Sequence, residues 1–221
     1  MAAATPSFFG FLATTLDAAI IAQAALMGII PLVTRHLTAE ERNFVIRSGA
    51  IFVVAIGGTS TVHRWKDQLL WSDRRSLGHG IFDVYREEAA EGEASISPQQ
   101  VALEAHNAQQ YRPFFGPLTG YPIARPFGLM KKVISFILAN QKYLVVNYYN
   151  PYDAMAGLLP RPRHLSNMLA IGTQHLARDF WRPQPLPGGG SKTIRIIDDH
   201  GVHEAWHAAG WTQAQDVPAP P

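Results

Sequence analysis

The sequence contains no cysteine, which excludes disulfide bonds, zinc fingers built on thiolates and cysteine nucleophiles. It also lacks an apolar run long enough for an ordinary membrane span, since its longest uncharged stretch, residues 18–34, contains Gln23 and Pro31. No basic residue precedes Arg35, and Asp17 lies within the first apolar region, so no secretory signal is expected. These absences permit an intracellular, reducing compartment and predict no membrane partner.

The chain has little net charge, +2 over 221 residues, but that charge is unevenly distributed. Residues 1–88 carry as many acidic as basic residues, whereas residues 111–165 carry seven Lys or Arg against one Asp. A basic surface on this second segment would attract polyanions. The alternative is an ordinary solvated sheet surface.

The stretch from Val62 to Arg75 combines two tryptophans with four basic side chains and a histidine. Cationic groups contact phosphates and enter the minor groove, while indole rings pack beneath them and hold their stems in place. Tryptophan beside arginine is also common at the edge of a β-sheet. The stretch is therefore typical of a nucleic-acid surface without being specific to one.

Segments on both sides of this stretch make the pattern specific. In order along the chain they are Thr14–Ala18, Val33–Leu37, Ile46–Val53, Trp71–Arg75, Leu77–Gly78, Tyr85–Glu87, Leu129–Ser135 and Tyr148–Gly157. Taken together, they resemble the two halves of the WOPR domain of fungal transcriptional regulators, over about residues 9–88 and 121–162. The resemblance implies a sequence-specific DNA-binding domain that needs both halves, favours A/T-rich sites and inserts into the minor groove.

The resemblance and the charges together select candidate DNA contacts. The strongest are Arg64, Lys66, Arg74 and Arg75, followed by Arg47, Lys131 and Lys132 as further contacts. Glycine after Arg47 and Ser48 could let the backbone approach a phosphate. Trp65 and Trp71 are interpreted as structural supports of the DNA-binding loop rather than as intercalating side chains.

The expected fold is α+β, with a mixed β-sheet built from two sequence halves and flanked by short helices. The first half predicts a helix capped by Thr15 and stopped by Gly28, and a second helix from Thr38 to near Ser48. Strands are predicted over residues 50–56 and, after a glycine turn, 61–65. In the second half, residues 131–149 predict a hairpin turning at Asn140–Gln141, followed by a helix starting at Asn150–Pro151.

The corresponding domain boundaries are 1–88 for the first half and 121–162 for the second half. Residues 89–120, rich in Glu, Gln, Ala and Pro, are predicted to form a flexible or irregular connector that loops out while its ends stay close. Residues 163–221 form a C-terminal extension to which the sequence assigns no role.

Three positions depart from the pattern that the family commonly shows. Lys66 stands where members commonly have threonine at a kinase site, so a permanent positive charge replaces a phosphorylation site. His63 stands in place of lysine, and Gln68 in place of glycine. The loop is therefore expected to have a different turn or a different base preference.

Two other functions remain open. His203-Glu204-Ala205-Trp206-His207 satisfies the His-Glu-x-x-His zinc pattern, with His200 as a possible third ligand, and would indicate a zinc-dependent hydrolase. A histidine-bearing helix without metal is the simpler interpretation, because Gly201 lies inside the pattern. The chain could also be an interaction module of the family that has lost DNA binding.

The function that the sequence predicts is a nuclear transcriptional regulator that binds double-stranded DNA, with possible protein co-regulators. No catalytic residue, metal or cofactor is required by this prediction.

Overall fold

The computed structural model describes residues 5–77, 81–162, 175–181, 183–185 and 191–193. The strands are β1 (Phe8–Phe9), β2 (Ala50–Ile56), β3 (Arg75–Leu77), β4 (Phe82–Arg86), β5 (Met130–Leu138), β6 (Gln141–Tyr149), β7 (Pro183–Pro185) and β8 (Ser191–Thr193). The α-helices are α1 (Thr15–Leu26), α2 (Ala39–Val45), α3 (Pro98–His106), α4 (Ala108–Phe115) and α5 (Pro151–Met155). Within the described ranges, no helix is long and apolar enough to cross a membrane.

Strands from both sequence halves share one six-stranded sheet, in the order β1-β2-β6-β5-β4-β3. The hairpin β5-β6 from the second half lies between β2 and β4 from the first, so neither half can complete the sheet alone. The ladders between these strands are antiparallel, and an isolated bridge from Val33 to Val54 is parallel. The α+β fold built from two halves is therefore confirmed.

Each face of the sheet carries a buried core. On one side, called here the helix face, Ile51, Ile134 and Tyr149 pack in a core that includes α1. On the other side, called the loop face, Phe52 and Val146 pack in a second core under α2 and the chain that follows β2. Side chains alternate between the two faces along each strand, so the register determines which residues can reach the loop face.

The first helix begins one residue earlier than predicted. Thr14, not Thr15, is its N-cap, and Asp17 completes a capping box by accepting from the backbone N–H of Thr14 at 3.0 Å. Asp17 is fully buried and pairs with Arg161 at 3.1 Å. Gly28 follows the helix with φ +71°, as a stop signal requires. The second helix has the predicted capping box but ends at Val45, before Ser48.

The prediction of an irregular connector over residues 89–120 is wrong for its second part, which forms α3 and α4. Ser97 caps α3 and Pro98 occupies its first turn. The carboxylate of Glu104 on α3 lies in the core. It accepts hydrogen bonds from both terminal nitrogens of Arg86 on β4, at 2.7 and 2.8 Å. A buried carboxylate needs such partners, and Arg86, 18 residues earlier, supplies them.

Part of the C-terminal extension belongs to the core. Phe180 is fully buried and packs edge-on against Phe136 of β5, with ring centroids 4.9 Å apart. The backbone N–H of Ala177 donates to the side chain of Gln23 on α1 at 2.9 Å. Residues 175–181 therefore cover α1 and β5 and contribute to the helix-face core.

Lys132 cannot be the phosphate contact that the sequence predicts, because its side chain lies on the helix face with only 1% of its surface exposed. Its ammonium donates to the carbonyl of Leu12 at 2.9 Å and lies 4.6 Å from the ring centre of Phe11. Its register partner Asn147 also binds this segment, accepting from the N–H of Leu12 and donating to the carbonyl of Gly10. The two polar residues together attach the N-terminal segment to the sheet.

Burial lowers the pKa of Lys132 to about 7, with Asp17 opposing this effect and Arg161 adding to it. An unfolded chain keeps this lysine charged up to pH about 10. Below pH 7 both states hold the proton, so the cost of burying the charge is fully present. Between pH 7 and 10 unfolding takes up a proton, and stability rises with pH.

We predict that the free energy of unfolding increases between pH 7 and 9.5 by up to about 1.4 kcal/mol per pH unit through Lys132 alone. Lys132→Met should remove this contribution, whereas Lys142→Met, at an exposed position, should keep it. Urea denaturation of the three proteins across this pH range measures the slopes. Equal slopes in the original chain and Lys132→Met would contradict the assignment.

Candidate nucleic-acid interface

The chain between β2 and β3 crosses the loop face, and residues 62–74 of it are called here the Arg64 loop. The strand predicted over residues 61–65 does not form. The free edge of β2 is already occupied, because Val33 exchanges backbone hydrogen bonds with Val53 and Ala55 at 2.8 and 2.9 Å. After the turn at Gly57 and Gly58, the chain therefore leaves the sheet plane and packs over its face.

The Arg64 loop is attached to the sheet by the carboxylate of Asp67. This side chain is 8% exposed and accepts four hydrogen bonds. Its donors are the indole of Trp71 at 2.8 Å, the hydroxyl of Tyr148 at 2.7 Å, the ammonium of Lys131 at 3.0 Å and the backbone N–H of Leu69 at 3.4 Å. Three of these donors are side chains, two of which lie on the central strands β5 and β6. The loop is thus fixed to the two central strands of the sheet.

The electrostatics of this network favour the ionised carboxylate. Burial alone would raise the pKa of Asp67, but the charge of Lys131 and hydrogen bonds from Tyr148, Trp71 and Lys131 together lower it below its ordinary value. Burial has the opposite effect on Lys131, because it lowers the pKa of a lysine. The negative charge of Asp67 opposes this shift. Tyr148 has a pKa well above its usual range, because of burial and the neighbouring Asp67. It therefore remains a donor.

The two tryptophans pack against the sheet rather than pointing into solvent. The indole of Trp65 donates to the hydroxyl of Tyr148 at 2.6 Å, and its ring lies 5.4 Å from that of Phe52. The ring of Trp71 lies 4.3 Å from the ammonium of Lys131, a cation–π contact. This geometry supports the interpretation of Trp65 and Trp71 as structural supports.

An open groove of about 410 Å³ lies beside the Arg64 loop on the loop face. Its floor consists of apolar strand residues, including Val133, Leu144 and Val146. Its polar lining residues are His63, Arg64, Ser72, Tyr85, Lys131 and Lys142. The groove therefore combines an apolar floor with cations at its rim.

Arg64 and Lys66 are both exposed, and within the described part of the chain neither forms an ion pair. Arg74 is also exposed and lies 3.7 Å from Asp83, a separation at which a surface pair contributes little. Burial and Asp83 raise the pKa of Tyr85, while Arg74 and Arg64 oppose the shift. Both guanidinium groups therefore act on the same phenol.

Arg75 lies on the other side of the sheet from this group. It pairs in register with Val84, which belongs to the helix-face core, so alternation directs Arg75 to the helix face. Its charge accordingly acts on Tyr121 rather than on Tyr85. The structure brings Arg64, Lys66 and Arg74 into one loop on the loop face but separates Arg75 from them.

Two other predicted contacts have local explanations. Lys131 has its ammonium engaged by Asp67, with 13% of its side chain exposed, so it serves first as the counter-charge of the loop. Arg47 is exposed in the turn before β2 and does not line the groove. Gly49, two residues later, is buried with φ +89°, and a Cβ there would also collide with the ring of Phe9. The backbone conformation and the close packing of Phe9, rather than access for a phosphate, explain that glycine.

Sequence reasoning missed the roles of Asp67, Tyr85 and Lys142. The hairpin register was available as a signal for Lys142, because it places this residue on the same face as Leu144 and Val146. Asp67 could have been noticed as the acid between two tryptophans in a basic stretch. Two of its four donors, Lys131 and Tyr148, come from distant parts of the chain, however, and no local pattern indicates them.

The zinc pattern at His200, His203 and His207 lies outside the described residues. Among those described, no group of three or more His, Cys, Asp or Glu side chains could hold a metal ion.

Comparison with known proteins identifies the family. The family model described as the Gti1/Pac2 family matches residues 7–113. A global transcription regulator, sge1, of Fusarium oxysporum f. sp. lycopersici is 32% identical, over 71% of this chain and 56% of its own length. The global transcription regulator FGP1 of Gibberella zeae is 28% identical, over 89% of this chain and 67% of its own. The chain spans little more than half the length of the Fusarium relative.

A solved structure has a similar fold. The WOPR domain of Wor1 from Candida albicans, in complex with 17 bp double-stranded DNA, has a TM-score of 0.52 at 24% identity, covering 76% of this chain and 91% of the Wor1 chain. The family model, the sequence relatives and the matched fold agree, and together they confirm the resemblance of this chain to the WOPR-domain family that its sequence indicates.

Proposed function

We propose that this protein is a transcriptional regulator that binds double-stranded DNA through the Arg64 loop. The observation that carries the proposal is the placement of Arg64, Lys66 and Arg74 as exposed cations on a loop whose buried acid, Asp67, is neutralised by Lys131. The loop therefore presents positive charge outward without an exposed acid beside Arg64 or Lys66. Such a surface attracts the phosphate backbone and loses affinity as salt increases.

Minor-groove recognition of A/T-rich sites suits this geometry. A narrow minor groove concentrates negative potential, which attracts an arginine side chain more than other grooves do. Arg64 follows the exposed His63 and precedes Trp65, whose indole is held by Tyr148. The side chain thus extends from a fixed support, so little backbone entropy is lost when it enters a groove. Lys66 and Arg74 then contact phosphates on either side.

The relatives support the same proposal. Those reported above are named as global transcription regulators, and the Wor1 structure is a complex with double-stranded DNA. A regulator that contacts DNA acts in the nucleus and needs no catalytic step, so both a nuclear location and a non-enzymatic role are part of the proposal. A family-derived interaction module without DNA binding remains the competing function, and the following experiment separates the two.

We predict that the full chain binds A/T-rich duplexes more tightly than G/C-rich ones and that Arg64→Ala reduces this preference by about 1–3 kcal/mol. Lys66→Ala should instead weaken binding to both duplexes and lower the salt slope by about one. Fluorescence titrations at several salt concentrations measure both quantities. Arg112→Ala is the control. It removes an exposed charge on α4, which packs on the helix face, and should change neither the base preference nor the salt slope.

Absence of binding at low salt would disprove the proposal and favour the interaction module. Binding without base preference would leave only a non-specific electrostatic contact. Equal effects of Arg64→Ala and Arg112→Ala would show that the Arg64 loop is not the contact surface.

We further predict that Asp67→Asn lowers the free energy of unfolding at pH 7 by about 1–3 kcal/mol, because Lys131 then loses its counter-charge. The folded pKa of Asp67 is lowered, so its contribution is present above the ordinary aspartate pKa and disappears as pH falls through the folded value. The difference between Asp67→Asn and the original chain should therefore shrink in acid. Urea denaturation at pH 7 and at lower pH measures it.

Asp73→Asn is the matched control, since Asp73 is exposed in the same loop and should change stability by less than about 0.5 kcal/mol. If the two variants behaved alike, Asp67 would not be the residue that attaches the loop.

A further inference from the structure

The residue after Asp67 has an unusual backbone conformation. Gln68 has φ +66°, in the left-handed region where a side chain is unfavourable and glycine is not. The side chain is exposed, so no packing in the core requires a glutamine here. Strain of this kind persists only where neighbouring contacts hold it in place.

The contact that holds Gln68 comes from α2. Its side-chain oxygen accepts a hydrogen bond from the Nη2 of Arg42 at 2.7 Å, while the Nη1 of Arg42 donates to the carbonyl of Leu37 at 2.7 Å. The Nε of Arg42 is buried without a partner within the described structure. The guanidinium is thus kept between α2 and the loop at the cost of one unsatisfied donor.

The helix that carries Arg42 is itself firmly attached. Glu41 forms the capping box with Thr38 and accepts two hydrogen bonds from Arg35, at 2.6 and 2.8 Å. Val45 at the end of α2 is buried in the loop-face core. A side chain that binds Arg42 is therefore tied to a fixed point outside the Arg64 loop.

We propose that Arg42 and Gln68 form a latch that positions the Arg64 loop for DNA. This inference rests on the proposed function. Asp67 fixes the buried side of the loop, and Gln68 fixes its exposed side, two residues from Lys66. With both sides held, Lys66 and Arg64 are presented in one arrangement, and binding does not require the loop to become ordered.

Loss of the latch should affect stability and DNA affinity in different ways. Glycine at position 68 would relieve the backbone strain and also remove the side chain that binds Arg42. A residue that mattered only for folding would show the two properties changing together. A positioning residue should instead show unchanged or higher stability with weaker binding.

The test uses the full chain and Gln68→Gly. Its affinity for an A/T-rich duplex should fall about tenfold if the loop occupies the competent arrangement only about a tenth of the time. The salt slope should not change, because no phosphate contact is removed. The urea midpoint should stay equal or increase, and hydrogen exchange of a peptide covering residues 62–74 should become faster.

Asn140→Gly is the matched control. Asn140 has φ +64° at the exposed turn between β5 and β6, so glycine replaces a side chain at positive φ in the same way but far from the Arg64 loop. This variant should leave both DNA affinity and exchange in residues 62–74 unchanged. Arg42→Ala should reproduce the affinity loss, and the double variant Arg42→Ala with Gln68→Gly should lose no more than either single one.

Additive losses in the double variant, or Gln68→Gly with unchanged affinity, would overturn the latch. If the unaltered chain binds no duplex, the proposed function fails, and the role of the latch in DNA binding fails with it. Hydrogen exchange then decides separately whether Arg42 and Gln68 order the loop, and unchanged exchange would overturn that as well.

Discussion

The carboxylate of Asp67 has to be paired because it is buried, and this requirement organises the loop face. An ionised group removed from water is stable only when donors and a counter-charge surround it. Lys131 and Tyr148 provide them from β5 and β6, and Trp71 provides a further donor from the loop itself. In doing so they turn an irregular segment into a fixed support, with the buried acid neutralised below and Arg64 exposed above.

The helix face carries a second buried charge pair that has a different consequence. Arg86 and Glu104 join β4 to α3 and hold the long insertion between the two sequence halves against the sheet. The hairpin β5-β6 can therefore enter the sheet between β2 and β4 although a long insertion separates it from them in sequence. The surface that bears Arg64 exists only when both halves are assembled.

Local patterns predicted the elements whose signals are local. The strand over residues 50–56, the Gly28 stop and the turn at Asn140 follow from residue preferences, and the structure has them where expected. The start of α3 had a local signal in Ser97-Pro98 that was not used, whereas the attachment of α3 to the sheet could not be predicted because burial of Glu104 depends on Arg86, outside the segment. The prediction that Lys132 contacts DNA was wrong for a related reason. Its charge suggested that the side chain is exposed to solvent, whereas strand alternation places it on the helix face, where it is buried.

In the proposed complex, the loop face lies against the DNA at the Arg64 loop. Because the chain has no cysteine, one can be introduced at a chosen position and coupled to iron–EDTA, which cuts nearby DNA through hydroxyl radicals. Coupled at Ser76→Cys, which the register places on the loop face, the reagent should cut a bound A/T-rich duplex around one site. Coupled at Gln109→Cys on α4, it should cut weakly or not at all. Equal cutting from both positions, or stronger cutting from Gln109→Cys, would show that the loop face does not lie against the DNA.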